Sequence, residues 1–350
     1  MTVLDSKLYN ADLQKAVSSL DLSKIRDKSI LITGGLGLIC SSIVDLLIVA
    51  NRMKDLNVRI YLAARNKKRF DEKYQQYQDV CFVEYDALKT VNFNFDVDYI
   101  VCGAGVASPD KYVSEPVETM LSNLTGVKNI LEYARHNNVK RVIYISSSEI
   151  YGKKQTDEQF AEGAYGIVDL DSVRSSYAVA KQASELLCKS FTSEYEIDTV
   201  IVRPGHVFGP TASKMDKRIS SDFAYKAAMG LSLEMKSSGL QKRSYCYAID
   251  AATAILIVLL KGYSGEAYNI CTEEILTIRE MAEIYAHAGH VSLSYVDPTE
   301  KEIKAFNPMN NSSLSYKKLE SLGYRKIFTT REALEHTVYI LRESALDNLC

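Results

Sequence analysis

Between residues 29 and 210 the chain keeps switching its hydrophobic period, and that switching limits the folds open to it. Short apolar runs of strand length occur at "SILITGG" (29–35), "VRIYLAAR" (58–65), "VCFVEYD" (80–86), "VDYIVCGAG" (97–105) and "KRVIYISSS" (140–148). Helix-like segments stand between them, including "LGLICSSIVDLLIVANRM" (36–53), "NKKRFDEKYQQYQ" (66–78) and "PVETMLSNLTGVKNILEYARHN" (116–137). Strands alternating with helices of about ten or more residues predict an α/β fold, a parallel sheet wound on both faces. After "TVIVRPGHVFGP" (199–210) the regular alternation stops. We therefore expect a leading helical extension over 1–27, a main α/β unit over 28–210 and a lobe made mainly from 211–350. That lobe should close over the carboxyl ends of the strands, where open α/β sheets bind ligands.

Composition removes several function classes. The chain has 350 residues, 47% hydrophobic and 25% charged, with a net charge of −2. There is no basic excess for nucleic acid and no block of like charge for a membrane surface. The opening "MTVLDSKLYNADLQKAVSSLDL" lacks the basic-then-apolar order of a signal peptide; its Leu4, Leu8, Val17 and Leu20 suggest a helix packed on the body. The longest apolar run, "AATAILIVLL" (251–260), is too short for a bilayer of roughly 30 Å and reads as a buried helix. Seven cysteines, without a CxxC pair and mostly inside apolar segments, suggest a reduced, cytoplasmic setting. Neither they nor the five histidines have metal-ligand spacing, so no metal is expected.

The stretch "TGGLGLIC" lies between a strand and a helix. Gly34 permits a tight turn, and Gly37 lets the backbone approach a pyrophosphate at the helix N-terminus. The third position of this pattern, commonly glycine, is Cys40. The next strand ends in Arg65, with Lys67, Lys68 and Arg69 nearby. An acidic residue there would bind the adenine ribose of NAD, whereas Arg accommodates the 2′-phosphate of NADP. The coenzyme stays open between the two.

In "RSSYAVAKQASE" (174–185), Tyr177 and Lys181 are four apart and share a helix face. An ammonium near a phenol favours phenolate, so the Tyr177 pKa is expected to fall from about 10 toward working pH. Such a tyrosine can take a proton from a sugar hydroxyl. Alone, the pair would read better as a solvated helix face.

The glycine turn, Asp86, "CGAGVASP", Asn123, the Ser147 region, Tyr-x-x-x-Lys and "RPGHVFGP" follow one another in order. This set resembles the extended short-chain dehydrogenase/reductase family of nucleotide-sugar-modifying enzymes over roughly residues 28 to 345. The resemblance implies a Rossmann-type doubly wound sheet with a small substrate-binding lobe. It also implies a tightly bound, recycled NAD or NADP held by Gly34, Gly37, Leu38, Ile39, Arg65, Asp86, Ala104 and Lys181. Ser147, Tyr177 and Lys181 would then be catalytic, with hydride passing from sugar C4 to give a 4-keto intermediate. Family members commonly dimerise through the helices corresponding to 116–137 and 177–195, so a homodimer is expected, with no nucleic acid or membrane partner.

The residues after Ser147 choose the reaction. Ser148-Glu149 resembles UDP-glucuronate decarboxylases and GDP-mannose 4,6-dehydratases, and differs from the Asp-Glu of deoxythymidine-diphosphoglucose dehydratases. The lobe sequence "MDKRISSDFAYKAAMGLSLEMKSSGLQKRSYCYAIDA" (215–251) is similar to the decarboxylase pattern through Asp216, Arg218, Phe223, Gly239, Gln241, Arg243, Ser244, Tyr247 and Asp250. By that resemblance Glu149 and Arg243 join the catalytic set, and Ser108, Ser148, His206, Arg218 and Arg243 touch substrate. His206 stands where the family commonly has Asn. Decarboxylation of UDP-glucuronate to UDP-xylose is the leading expectation, ahead of a 4,6-dehydratase or a 4-epimerase. The non-enzyme alternative is a silent dinucleotide-binding regulator, which would be expected to lose Tyr177 or Lys181.

Overall fold

The computed structural model describes residues 2–91, 93–154, 156–299 and 309–346. Cys350 lies outside them. Through residue 204 the elements are α1 (Lys7–Ser18), β1 (Ser29–Thr33), α2 (Leu38–Lys54), β2 (Arg59–Ala64), α3 (Lys67–Tyr74), β3 (Val80–Glu84), β4 (Tyr99–Cys102), α4 (Pro109–Ser114), α5 (Pro116–His136), β5 (Arg141–Ile145), α6 (Ser176–Tyr195) and β6 (Thr199–Pro204). The chain continues as β7 (His206–Phe208), α7 (Ile219–Ala228), β8 (Leu233–Met235), β9 (Lys242–Tyr247), α8 (Ala248–Lys261), β10 (Ala267–Ile270), β11 (Ile275–Thr277), α9 (Ile278–Gly289), β12 (Leu293–Tyr295), α10 (Lys317–Ser321) and α11 (Thr330–Leu346).

Seven parallel strands form the main sheet in the order β3-β2-β1-β4-β5-β6-β10. Strand order reverses beside β1, whose neighbours are β2 and β4. Such a switch point opens a crevice at the carboxyl ends of the strands. The central strands are covered on both faces, which explains their unbroken apolar runs: every residue of β6 is buried, and four of five in β1 and in β5. One face packs under α2, α3 and α8, the other under α5 and α6.

Past residue 210 the chain divides its length between the lobe and the main sheet. The chain leaves the sheet after β6, builds part of the lobe, and then returns. The apolar run 251–260 lies inside α8, whose residues Ala248 to Leu260 are all buried because the helix is wedged between the sheet, α1 and α2. β10 then adds to β6 in parallel register. The lobe itself holds a three-stranded sheet (β11-β9-β7), the parallel pair β12-β8, and helices α7, α9 and α11.

The leading helix is part of the core. Leu13, Ala16 and Val17 are fully buried. The Tyr9 hydroxyl donates to Asp45 on α2 at 3.0 Å, where Tyr74 (2.8 Å) and Lys73 (2.9 Å) also converge. Asp12 accepts from the Tyr247 hydroxyl at 3.0 Å and meets His336 of α11 at 3.0 Å. Buried carboxylates need such partners, and here the partners tie α1 to the sheet-covering helix and to the lobe. Among the described residues, no helix is long and apolar enough to cross a membrane.

Candidate active site

The turn after β1 brings the first group of residues to the crevice. Gly34 has φ +70°, and a Cβ there would lie 2.9 Å from the Gly103 carbonyl oxygen. The main chains of the two loops therefore touch. The Thr33 hydroxyl strengthens that junction by accepting the N–H groups of Gly103 and Ala104, each at 3.1 Å. Gly37 caps α2 without a side chain, so the leading N–H groups at Leu38 and Ile39 have no side-chain cap. Uncapped N–H groups at the positive end of a helix suit a phosphate. Cys40 is accommodated from across the turn: a Cβ on Gly103 would come within 2.4 Å of its sulfur, and glycine leaves that space. Burial pushes the Cys40 thiol up to about 12, so it serves as packing.

Arg65 is exposed at the end of β2, and the Arg69 guanidinium reaches the Leu36 carbonyl of the glycine turn at 3.4 Å. Half-buried Asp86 follows β3 and accepts the Leu88 N–H at 3.0 Å. Gly34, Gly37, Leu38, Ile39, Arg65, Asp86 and Ala104 thus follow the carboxyl ends of β1 to β4. A turn without room for a Cβ and a helix start without a side-chain cap fit a dinucleotide.

The second group hangs from β5. Ser147 begins a single 3₁₀ turn, Ser148–Tyr151, and its hydroxyl accepts the Glu149 N–H at 3.2 Å. Tyr151 anchors the turn: its hydroxyl donates to Asn269 at 2.7 Å and accepts from Arg203 at 2.9 Å. Gly152 has φ +61°, and a Cβ there would strike the Ile167 carbonyl at 2.4 Å. The "Tyr-Gly" two residues after Glu149 therefore fixes the main-chain turn that carries Glu149. Helix α6 joins the same turn through Gln182, which donates to the Ile150 carbonyl at 2.7 Å.

Tyr177 and Lys181 are both buried on α6. The Lys181 ammonium donates to the Ile145 carbonyl at 2.7 Å and lies 5.8 Å from the centre of the Tyr177 ring. Burial pushes the Tyr177 phenol up to about 12, with the Ser147 hydrogen bond opposing it. This corrects the expected downward shift. Removing water from a phenolate raises its pKa, and the nearest Lys181 contact is a main-chain carbonyl rather than the phenol oxygen. Burial also lowers Lys181 to about 8.

Around this centre stand three arginines. Arg174 grips Glu149 with both terminal nitrogens, at 3.0 and 3.3 Å. Arg218 is held by Asp216 at 3.0 Å; burial opposes its charge, the hydrogen bonds to Asp216 outweigh that, and its pKa is raised. Arg243 is buried on β9, held by the carbonyls of Lys242 (2.9 Å) and Met309 (3.1 Å). Burial lowers its pKa, while the charges of Tyr245 and Glu149 pull it back. His206 meets the Ser312 hydroxyl at 3.0 Å; burial and the nearby Arg243 and Arg218 lower it to about 3, so it is neutral near pH 7. Ser148 is buried beside Glu149, and Ser108 heads α4.

The sequence reading missed two residues. Arg174 is one; its signal was its place three residues before Tyr177, at the entry to the same helix. Tyr112 is the other: its ring lies parallel to that of Tyr177 at 4.3 Å. That contact has no local signal, because it joins α4 to α6. Among the described residues, no group of three or more His, Cys, Asp or Glu could hold a metal ion.

With this geometry in hand, comparison places the chain among known proteins. Residues 30–271 match the model of the "NAD dependent epimerase/dehydratase family". UDP-glucuronic acid decarboxylase 3 of Arabidopsis thaliana is 31% identical over 254 residues, 73% of this chain and 72% of that one. A dTDP-D-glucose 4,6-dehydratase of Homo sapiens is 26% identical over 332 residues, 91% of each. The solved structure of an epimerase from Methanothermobacter thermautotrophicus shares the fold, with TM-score 0.81, 22% identity and 96% of both chains covered.

The lowered Lys181 pKa has a measurable consequence. Between about pH 8 and its ordinary 10.5, the unfolded chain binds a proton at Lys181 that the folded chain releases, so stability rises with pH across that window. Wild type should gain about 3 kcal/mol on Lys181→Met over that range. Urea unfolding at a series of pH values measures the difference, and parallel curves would contradict the shift.

Proposed function

The chain belongs to the NAD dependent epimerase/dehydratase family, and we propose that within it this protein decarboxylates a nucleotide-linked hexuronate, converting UDP-glucuronate to UDP-xylose. It is a nucleotide-sugar-modifying enzyme of the extended short-chain dehydrogenase type, working with NAD or NADP. The observation that carries the finer reading is the pairing of Ser147-Ser148-Glu149 at the end of β5 with the buried Arg243 of β9. The Arg243 guanidinium is held by main-chain carbonyls and sits within electrostatic reach of Glu149. A substrate carboxylate or diphosphate suits such a cation.

A bound nicotinamide supplies reversible acceptance of the hydride from sugar C4. The positive charge of a bound oxidised nicotinamide would favour the Tyr177 phenolate, which takes the proton from the 4-hydroxyl, and Ser147 hydrogen-bonds the same oxygen. Lys181, buried beside them, tunes that exchange and holds the coenzyme ribose. The resulting 4-ketone makes the C6 carboxylate part of a β-keto acid. Carbon dioxide then leaves as the electrons move onto the ketone oxygen. Donors already aimed at that oxygen, Ser147 and Tyr177, stabilise the enolate without rearranging. C5 takes a solvent proton relayed by Glu149, and Arg218, Arg243 and neutral His206 hold the substrate's anionic parts; a bound reduced coenzyme would supply the hydride that restores C4.

A 4,6-dehydratase is the second reading, favoured by the human dehydratase relative, aligned over 91% of both chains. Ser148 in place of an acid weighs against the Asp-Glu type of dehydratase. Incubation with a panel of nucleotide sugars followed by mass spectrometry decides. Loss of carbon dioxide from UDP-glucuronate supports the decarboxylase, loss of water from a hexose replaces it with the dehydratase, and an unchanged mass with an NMR-detected change at C4 replaces both with an epimerase. Tyr177→Phe should lower turnover by roughly 100-fold or more with coenzyme still bound; unchanged turnover would remove Tyr177 from the chemistry.

Two finer readings belong here. The end of β2 offers the adenine ribose Arg65 and Arg69 and no carboxylate, which favours NADP. NADPH should bind at least tenfold tighter than NADH, and Arg65→Ser with Arg69→Ser should erase that preference, about 1.4 kcal/mol per factor of ten; fluorescence titration reads both. We also place the protein in the cytoplasm as a homodimer. The six described cysteines are free, as a reducing compartment allows. Exposed apolar side chains gather on α5 and α6, with Leu121 48%, Val117 61% and Leu186 66% exposed. Leu186→Glu should turn a dimer into a monomer in light scattering; a wild type that is already monomeric would refute the assignment.

A further inference from the structure

Arg174 stands on the short 3₁₀ turn Val173–Ser175 that feeds α6, three residues before Tyr177. Its terminal nitrogens meet both oxygens of Glu149, at 3.0 and 3.3 Å, and both side chains are largely buried. Its Nε is buried with no partner. Below the guanidinium lies the Tyr112 ring, its centre 5.7 Å away, and Tyr112 in turn lies flat against Tyr177 with 7° between the planes. A two-pronged pair of this kind sets the orientation of a carboxylate as well as its distance. A lysine would act only as a point charge. The contact with Tyr112 is the weaker of the two at a partly exposed site, so the principal object of Arg174 is Glu149.

We propose that Arg174 is the positioning residue for the step at sugar C5. It holds the Glu149 carboxylate in a fixed place relative to Tyr177, so the side chains serving C4 and C5 address one sugar without either moving. The proposal rests on the reading that the reaction passes through a 4-keto sugar. In the first step the C4–H bond breaks, its electron pair leaves as hydride to the nicotinamide coenzyme, and the O4 proton goes to Tyr177. That step does not use Glu149. In the second step the C5–C6 bond breaks, its electron pair passes to the ketone oxygen, carbon dioxide departs, and C5 takes a solvent proton relayed by the Glu149 carboxylate as the enolate collapses back to the ketone. If water is lost instead, the C5–H bond breaks, Glu149 takes that proton, and the C6 hydroxyl leaves as water by receiving it. Either second step depends on where the Glu149 carboxylate points, and Arg174 determines that.

The test compares wild type, Arg174→Gln, Arg174→Lys and Glu149→Gln on whichever nucleotide sugar the wild type converts. Coenzyme reduction is followed by absorbance, and the 4-keto sugar and final product by mass spectrometry. Arg174→Gln should reduce coenzyme at a rate within about threefold of wild type, accumulate the 4-keto sugar, and form product roughly 100-fold more slowly. Arg174→Lys should recover about tenfold of that loss, and Glu149→Gln should reproduce the split between the two steps. Coenzyme reduction and product formation slowing together would overturn the proposal, since that is what a merely structural arginine would do; so would no slowing at all. Thermal unfolding checks that the variants are folded. Should Arg174→Gln not fold, the lysine variant carries the test, with accumulation of the 4-keto sugar expected and its absence decisive against. A wild type that loses water keeps the proposal and overturns only the decarboxylase reading. A wild type that only inverts C4, with no bond broken at C5, overturns both.

Discussion

The main-chain contact between the turn after β1 and the end of β4 is the constraint on which the cofactor half of the site depends. Gly34 stands where any side chain would meet the Gly103 carbonyl, and Thr33 accepts the N–H groups of Gly103 and Ala104. These contacts draw two strand ends together at the place where the sheet changes direction. The start of α2 then faces the crevice, and a phosphate can reach it. The Cys40 side chain fits because Gly103 has none, so the substitution in the glycine pattern is matched by a small residue on the facing loop.

The catalytic half depends on buried polar contacts. Tyr151 links Asn269, at the end region of β10, with Arg203 on β6, and Arg203 is paired with the buried Glu185 of α6 at 2.7 Å. A buried pair of this type contributes little net stability compared with apolar packing, yet removing one partner strands the other charge. Its effect here is geometric: it joins β6, α6, β10 and the turn carrying Glu149. The return of the chain to the main sheet through α8 and β10 is therefore part of what holds the site, as well as a way to cover the sheet edge.

Electrostatics divides the crevice into parts. Near Tyr177 and Lys181, burial opposes charge on both groups, raising one and lowering the other. Burial thus favours the uncharged form of each group, so the two do not meet as an ion pair. Toward the lobe stand the cations of Arg218 and Arg243 and the neutral His206. Glu149 lies between, oriented by Arg174. The leading helix stands apart from this chemistry and secures α2 and α11 through Asp45 and Asp12.

Much of this was legible along the chain because it is encoded locally. Strand-length apolar runs between helix-length segments dictate a parallel sheet covered on both faces, and glycine at 34 and 37 marks the turn where a backbone must come close. The four-residue spacing of Tyr177 and Lys181 places them together on any helix. The return of 248–270 to the sheet was hidden, since a helix apolar all round reads the same wherever it is buried. The direction of the Tyr177 pKa shift was hidden as well: spacing shows that an ammonium is near, while only the packed structure shows how much water is lost and which acceptor the ammonium faces. Tyr112 on Tyr177, and Arg174 on Glu149, join segments from 25 to 65 residues apart. The sequence by itself determined the parallel sheet, the glycine turn and the shared helix face of Tyr177 and Lys181, because each follows from short-range periodicity and spacing; Ser147 joined them only through the family resemblance. The tertiary structure alone decided which charges meet in the crevice, because that depends on where long side chains from distant elements come to rest.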